Sequence, residues 1–95
     1  MTERDRISVA TRITGRVQGV WFRGWVREEA RRLGLTGSVR NQPDGSVAAL
    51  FVGPGKAVAT MLALCHQGPP PARVLAVETT PIIPVPELAE FRVER

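Results

Sequence analysis

Arg23 and Asn41 are the two residues of this sequence whose types and surroundings best fit a chemical role. A guanidinium is planar and permanently charged and binds two phosphate oxygens at once, while a carboxamide both accepts a hydrogen bond from water and donates one. From the sequence, neither a carboxylate nor a histidine can be placed beside them. The pair therefore suits a reaction at phosphorus whose leaving group needs no proton. An acyl phosphate meets this condition because it releases a carboxylate with a pKa of about 4.

A glycine-bounded segment precedes Arg23 and is the candidate phosphate-binding loop. A loop that leads into a helix offers unpaired N–H groups and the positive end of the helix dipole, which together suit an anion. Arg23 in the first helical turn should reach the same place, because helical side chains lean toward the N-terminus. The two glycines should let the backbone curl around the anion. The predicted substrate-binding residues are Gly15, Arg16, Val17, Gln18, Gly19 and Val20. For Arg16 and Gln18, side chains that only point to solvent are an equal alternative.

Hydrophobic patterns place this loop between a strand and a helix. Residues 7–14 alternate apolar and polar side chains, which predicts a strand with one buried face; its inward residues are Ile7, Val9 and Ile13. Apolar side chains then recur at helical spacing up to a natural helix end at Gly34. The recurring residues are Phe22, Val26, Ala30 and Leu33.

The rest of the chain predicts a hairpin, a second helix and two further strands. Residues 36–42 and 47–52 form the hairpin around Pro43-Asp44-Gly45, and the second of these strands is apolar on both sides, which favours the middle of the sheet. The second helix should have Pro54 at its first helical position and should end at Gly68. Its inward residues are Val58, Met61, Leu62 and Cys65. Prolines separate a strand over 72–80 from a short closing strand over 90–93.

This order of elements predicts an α+β fold, a ferredoxin-like split βαβ sandwich with an antiparallel sheet and both helices on one face. In that topology the first and second strands point the same way, so their C-terminal ends share one rim of the sheet. The loop and Asn41 therefore converge, although 18 residues separate Arg23 from Asn41. Asn41 has the strand parity of Val39, so its side chain should point to the helix-covered face.

Composition predicts one ordinary globular domain over residues 1–95, with 1–6 as a flexible N-terminus. The chain is 43% hydrophobic and 23% charged, well away from disordered compositions. The single Cys65, with only His66 beside it, makes no metal site, so neither a metal nor a cofactor is expected. Without a signal peptide or membrane span, a cytoplasmic monomer is the default. The net charge of +4, which comes mainly from twelve arginines, fits a nucleic-acid surface, a small-anion site or biased codon supply alike.

The motifs resemble those of the acylphosphatase family over roughly residues 7 to 93. The matching stretches are Gly15-Arg16-Val17-Gln18-Gly19-Val20-Trp21-Phe22-Arg23, Leu33-Gly34-Leu35, Gly37-Ser38-Val39-Arg40-Asn41, Asp44-Gly45-Ser46-Val47 and Gly68-Pro69. The resemblance implies hydrolysis of small-molecule acyl phosphates without a metal, with Arg23 binding the phosphate and Asn41 orienting the attacking water. Ser38 and Trp21 stand where many relatives carry other residues, which touches substrate preference or packing.

Other interpretations compete with this one. Arg23 taken alone could be a surface charge and Asn41 a turn residue before Pro43. RNA-recognition domains share the topology and a basic charge, but they display stacking aromatics on the two central strands. Here the first strand has none and the third has only Phe51. An accessory acylphosphatase-like domain of a hydrogenase-maturation carbamoyltransferase would belong to a much longer chain.

Overall fold

The computed structural model describes residues 5–94, which form five strands and two helices. In chain order these are β1 (Arg6–Arg16), α1 (Phe22–Arg32), β2 (Thr36–Asn41), β3 (Val47–Pro54), α2 (Gly55–Gln67), β4 (Arg73–Pro81) and β5 (Phe91–Glu94). A flexible N-terminus is predicted over residues 1–6, and residues 1–4 of this segment lie outside the described residues. Arg6, which that prediction included, is the first residue of β1 and pairs with Pro54.

The sheet has the strand order β4-β1-β3-β2-β5. The central β1 pairs antiparallel with β3 and β4, and β2 pairs antiparallel with β3. The predicted ferredoxin-like arrangement is confirmed, with both helices packed on the sheet. The prediction of a wholly antiparallel sheet is wrong, because β5 pairs parallel with β2. The chain leaves β4 at one edge of the sheet and reaches the other edge only after residues 82–90, where it runs alongside β2.

One hydrophobic core lies between the sheet and the helices. It contains the inward side chains of both helices and of the central strands, and each buried side chain of this size contributes about 1.5–3 kcal/mol. The fully buried members include Ile13, Phe22, Val26, Val39, Phe51, Val58, Met61, Cys65 and Phe91. Burial raises the pKa of the Cys65 thiol to about 12, so this side chain is a packing residue, as its place beside Met61 predicts.

Gly15 lies at an irregularity in the pairing of β1 with β4, and this differs from the prediction of a loop position. The register shifts between Thr14 and Gly15, so Gly15 pairs with Val74 and Arg16 with Arg73. Gly15 has φ +124°, and a Cβ there would overlap the carbonyl oxygen of Arg73 and approach the Leu75 nitrogen at 2.8 Å. Glycine is therefore needed for close approach of two strands.

The second helix begins one residue later than predicted. Pro54 has φ −58° and ψ 141°, so its backbone is extended and it is the last residue of β3. Its ring fixes φ but leaves ψ free. The strand therefore continues through the proline, and α2 starts at Gly55.

Candidate active site

The N-terminus of α1 is open to an anion. Trp21 precedes the helix with φ 63° and makes no side-chain capping bond, and no acidic residue lies in the described first turn. Within residues 5–94, the N–H groups of residues 18–24 donate to no backbone carbonyl. These free donors lie at the positive end of the helix dipole. A phosphoryl group would satisfy them.

Arg23 lies in the first turn of α1 and lines a cavity of about 290 Å³ at this helix end. Its side chain is half-buried, and Nη1 donates a hydrogen bond to the Glu94 carbonyl oxygen at 3.2 Å. This bond to β5 holds one corner of the guanidinium and leaves its other N–H groups available. A guanidinium anchored in this way can bind an anion with less loss of side-chain freedom.

Asn41 is the last residue of β2, where it pairs with Val47. Its side chain lines the same cavity as Arg23, and its Oδ1 is buried with no hydrogen-bond partner among the described residues. A buried polar atom without a partner costs about 1–3 kcal/mol. Oδ1 is therefore an acceptor that lacks a partner beside this cavity.

Gln18 connects the loop to the hairpin turn between β2 and β3, which follows Asn41. Its Nε2 donates to the Gln42 carbonyl oxygen at 2.8 Å and to the Ser46 carbonyl oxygen at 2.9 Å. Of the two alternatives for Gln18, a side chain that only faces solvent is thus wrong. These bonds fix the distance between the N-terminus of α1 and the end of β2, which carry Arg23 and Asn41.

Asp44 stabilises the turn of this hairpin. Its Oδ1 accepts from the Ser46 hydroxyl at 2.6 Å and the Ser46 N–H at 2.9 Å, and its Oδ2 accepts from Arg12 Nη2 at 2.7 Å. The Ser46 hydroxyl first, and then the Arg12 guanidinium, hold the pKa of the Asp44 carboxyl well below its usual range. The ionised carboxylate therefore connects the turn to β1.

The predicted site residues do not all meet in the cavity. Its lining contains Val17 and Gly19 of the loop, together with Arg23 and Asn41. Gly15 and Arg16 belong to β1 instead, and Val20 packs against the core. Five further residues line the cavity that were not among the predicted site residues: Trp21, Phe22, Gly24, Arg27 and Val93. Of these, Arg27 could have been predicted from the sequence, because it lies four residues after Arg23 and so shares its face of the helix.

Trp21 lies at the mouth of the cavity and is 59% exposed. Its indole lies against Gly24, where an added Cβ would overlap the indole nitrogen. Gly24 thus leaves room for the ring beside the helix. The next tryptophan, Trp25, packs instead against Phe22, with ring centroids 5.5 Å apart. The two tryptophans therefore have different places, one at the rim and one against the core.

The described residues provide neither a metal-ligand cluster nor a membrane-spanning helix. Residues 5–94 contain no group of three or more His, Cys, Asp or Glu side chains placed to hold a metal ion. Among the helices described here, neither is long and apolar enough to cross a bilayer.

This fold and this site define a small α+β protein with an arginine-lined cavity at an uncapped helix N-terminus. The acylphosphatase family model matches residues 9–93. The chain is 51% identical over 92 residues to the acylphosphatase of Sinorhizobium medicae, which covers 97% of this chain and 98% of the relative. It is 55% identical over 75 residues to the acylphosphatase of Rhodospirillum rubrum, covering 79% and 82% respectively. The structure of an acylphosphatase from Coxiella burnetii superposes with a TM-score of 0.93 at 33% identity, covering 99% of this chain and all of the other.

The chain belongs to the acylphosphatase family, the enzymes that hydrolyse acyl phosphates.

Proposed function

We propose that the protein hydrolyses acyl phosphates without a metal, with Arg23 binding the phosphoryl group and Asn41 orienting the attacking water. One observation carries this proposal: Arg23 and Asn41, whose Oδ1 has no partner among the described residues, line one cavity at the uncapped N-terminus of α1. An anion site and a water acceptor are thus adjacent. In-line attack on phosphorus needs both.

The phosphoryl oxygens would accept hydrogen bonds from the free N–H groups of the loop and from Arg23. Of the predicted loop residues, we assign the backbone N–H groups of Gln18, Gly19 and Val20 to this role, and we assign Gly15 and Arg16 to holding β1 beside β4. The transition state of phosphoryl transfer spreads negative charge over the equatorial oxygens. Preorganised donors stabilise that charge more than they stabilise the ground state.

Asn41 would act on the water. Its Oδ1 accepts a hydrogen bond from the water and so directs an oxygen lone pair toward phosphorus, while the carboxamide itself takes up no proton. The new oxygen–phosphorus bond forms as the bond from phosphorus to the acyl oxygen breaks. The electron pair of that bond leaves with the carboxylate, whose pKa of about 4 requires no general acid. A proton of the water is released as inorganic phosphate forms.

The test separates the two roles by kinetics. Arg23→Lys should raise the inhibition constant of inorganic phosphate and lower kcat for benzoyl phosphate, because a point charge cannot replace the planar fork; the loss of a charge-assisted bond is about 1.5–3 kcal/mol, or about 10- to 100-fold. Asn41→Ala should lower kcat while the phosphate inhibition constant stays within about twofold. Activity of the unmodified chain should be unchanged in EDTA.

Circular dichroism and urea denaturation should first show that both variants are folded. The division of roles would be wrong if Asn41→Ala kept normal turnover or weakened phosphate binding as much as Arg23→Lys. A loss of activity in EDTA that an added metal restores would contradict the metal-independent step.

We further propose that the protein acts as a single domain over residues 1–95 and as a cytoplasmic monomer, without a nucleic-acid partner. The free thiol of Cys65 suits a reducing compartment. Phe51, the one aromatic residue of the two central strands, is fully buried and stacks on Phe91. It therefore offers no stacking surface to a base. Size-exclusion chromatography with light scattering checks the monomer.

A further inference from the structure

Three arginines at four-residue spacing, Arg23, Arg27 and Arg31, follow one another along α1. The two outer ones are tied to β5, because Arg23 donates to the Glu94 carbonyl oxygen and Arg31 Nη2 donates to the Phe91 carbonyl oxygen at 3.1 Å. Arg27 lies between them and makes no hydrogen bond or ion pair within residues 5–94. It is half-buried and lines the cavity, as Val93 of β5 does. The Arg27 guanidinium therefore lies at the cavity without a hydrogen-bond or ion-pair partner among the described residues.

The cavity carries a second positive charge besides that of Arg23. Its described lining contains two arginines and no aspartate or glutamate. A charged group that is partly removed from water is normally paired. Elsewhere on the same helix, Arg32 has such a partner in Glu29. The empty place beside Arg27 therefore suits a negative group of a ligand.

We propose that Arg27 binds a carboxylate at the far end of the acyl group, so that the enzyme prefers acyl phosphates of dicarboxylic acids. This inference rests on the proposed function of the site. Arg27 is four residues from Arg23, about 6 Å along the helix axis, and its side chain leans back toward the N-terminus. An extended succinyl phosphate holds its far carboxylate roughly 6 Å from phosphorus, as standard bond lengths give. Trp21 and Val93 would flank the two methylene groups of such a chain.

The experiment compares succinyl phosphate with butyryl phosphate, which has the same number of carbons and no second charge. The unmodified enzyme should have a kcat/KM about tenfold higher for succinyl phosphate, chiefly through a lower KM, because a charge-assisted bond is made to Arg27. Arg27→Gln should abolish this preference, because kcat/KM should fall about tenfold more for succinyl phosphate than for butyryl phosphate. Arg27→Lys should keep part of the preference, since the charge remains.

Arg32→Gln is the matched control, because it removes the same charge from the same helix outside the cavity. It should leave the preference for succinyl phosphate unchanged. The phosphate inhibition constant should rise less in Arg27→Gln than in Arg23→Lys, since Arg27 is assigned to the acyl end.

Three results would overturn the inference. The first is equal kcat/KM of the unmodified enzyme for the two substrates. The second is an Arg27→Gln variant that loses activity on both alike or weakens phosphate binding as much as Arg23→Lys does, which would place Arg27 at the phosphoryl group. The third is loss of the preference in Arg32→Gln as well, which would show that the preference comes from the net positive charge of the helix and not from a contact with Arg27. If the unmodified enzyme hydrolysed neither substrate, the proposed function itself would be wrong.

Discussion

Replacing Gln18 by Met should loosen the phosphate-binding loop while keeping a side chain of similar length. The substitution removes the two hydrogen bonds from Nε2 to the carbonyl oxygens of Gln42 and Ser46. Each of these oxygens keeps a backbone partner, Gly45 N–H for Gln42 and Gln42 N–H for Ser46. Neither is left unsatisfied, so the loss is about 0.5–1.5 kcal/mol for each bond, or about 1–3 kcal/mol of unfolding free energy in total.

Gln18→Met should also lower the catalytic efficiency of the folded enzyme. Gln18 joins the loop before Arg23 to the hairpin that begins after Asn41, so its loss lets these two residues drift apart. A misplacement of about 1 Å lowers turnover by about 100-fold, and we expect kcat/KM to fall by about 10- to 100-fold. Urea denaturation measures the first quantity and phosphate release from benzoyl phosphate the second.

Thr60→Ala is the control for Gln18→Met, because it removes one side-chain bond to the Lys56 carbonyl on α2, away from the cavity. It should leave kcat/KM within about twofold. The reasoning is refuted if Gln18→Met keeps both the stability and the kcat/KM of the unmodified chain.

Two further variants test the hairpin turn and the irregularity in β1. The lowered pKa of Asp44 means that its carboxylate stabilises the fold above the unfolded-state pKa of about 3.9, and that this stabilisation is lost as the pH falls below that value toward the folded-state pKa. Asp44→Asn should therefore lose less stability than the unmodified chain between pH 5 and pH 3 in urea denaturation; identical losses would contradict this. Gly15→Ala should cost about 2–5 kcal/mol of unfolding free energy, from backbone strain and overlap with β4. Gly34→Ala, with φ +76° but open space around it, should cost only about 1–2 kcal/mol; equal costs would show that the overlap with β4 does not matter.

The sequence predicts most of the fold because its hydrophobic periods are clear. Val9 and Ile13 alternate with polar residues on β1, and Phe22 and Val26 recur at helical spacing on α1, and all four are buried in one core. The parallel pairing of β5 could not be predicted. β5 has only four residues and follows a proline-rich connection, so its hydrophobic pattern is too short to identify the partner strand.

The candidate site is only partly readable from the sequence. Arg23 and Asn41 follow from the ends of neighbouring elements, because topology brings those ends to one rim. The bonds of Gln18 could not be predicted, since the acceptors are main-chain oxygens of a turn that any sequence would offer. Gly15 looks like a loop residue by type, and only the register of β4 shows that it is required for strand packing.

A crystal structure with bound phosphate, at a concentration that inhibits turnover, tests the central claim most directly. The account predicts one phosphate at the N-terminus of α1, with its oxygens within hydrogen-bond distance of the Arg23 guanidinium and of N–H groups of residues 18–24, and a water between Asn41 Oδ1 and phosphorus. Phosphate bound elsewhere, with this helix end vacant while turnover is inhibited, would contradict it.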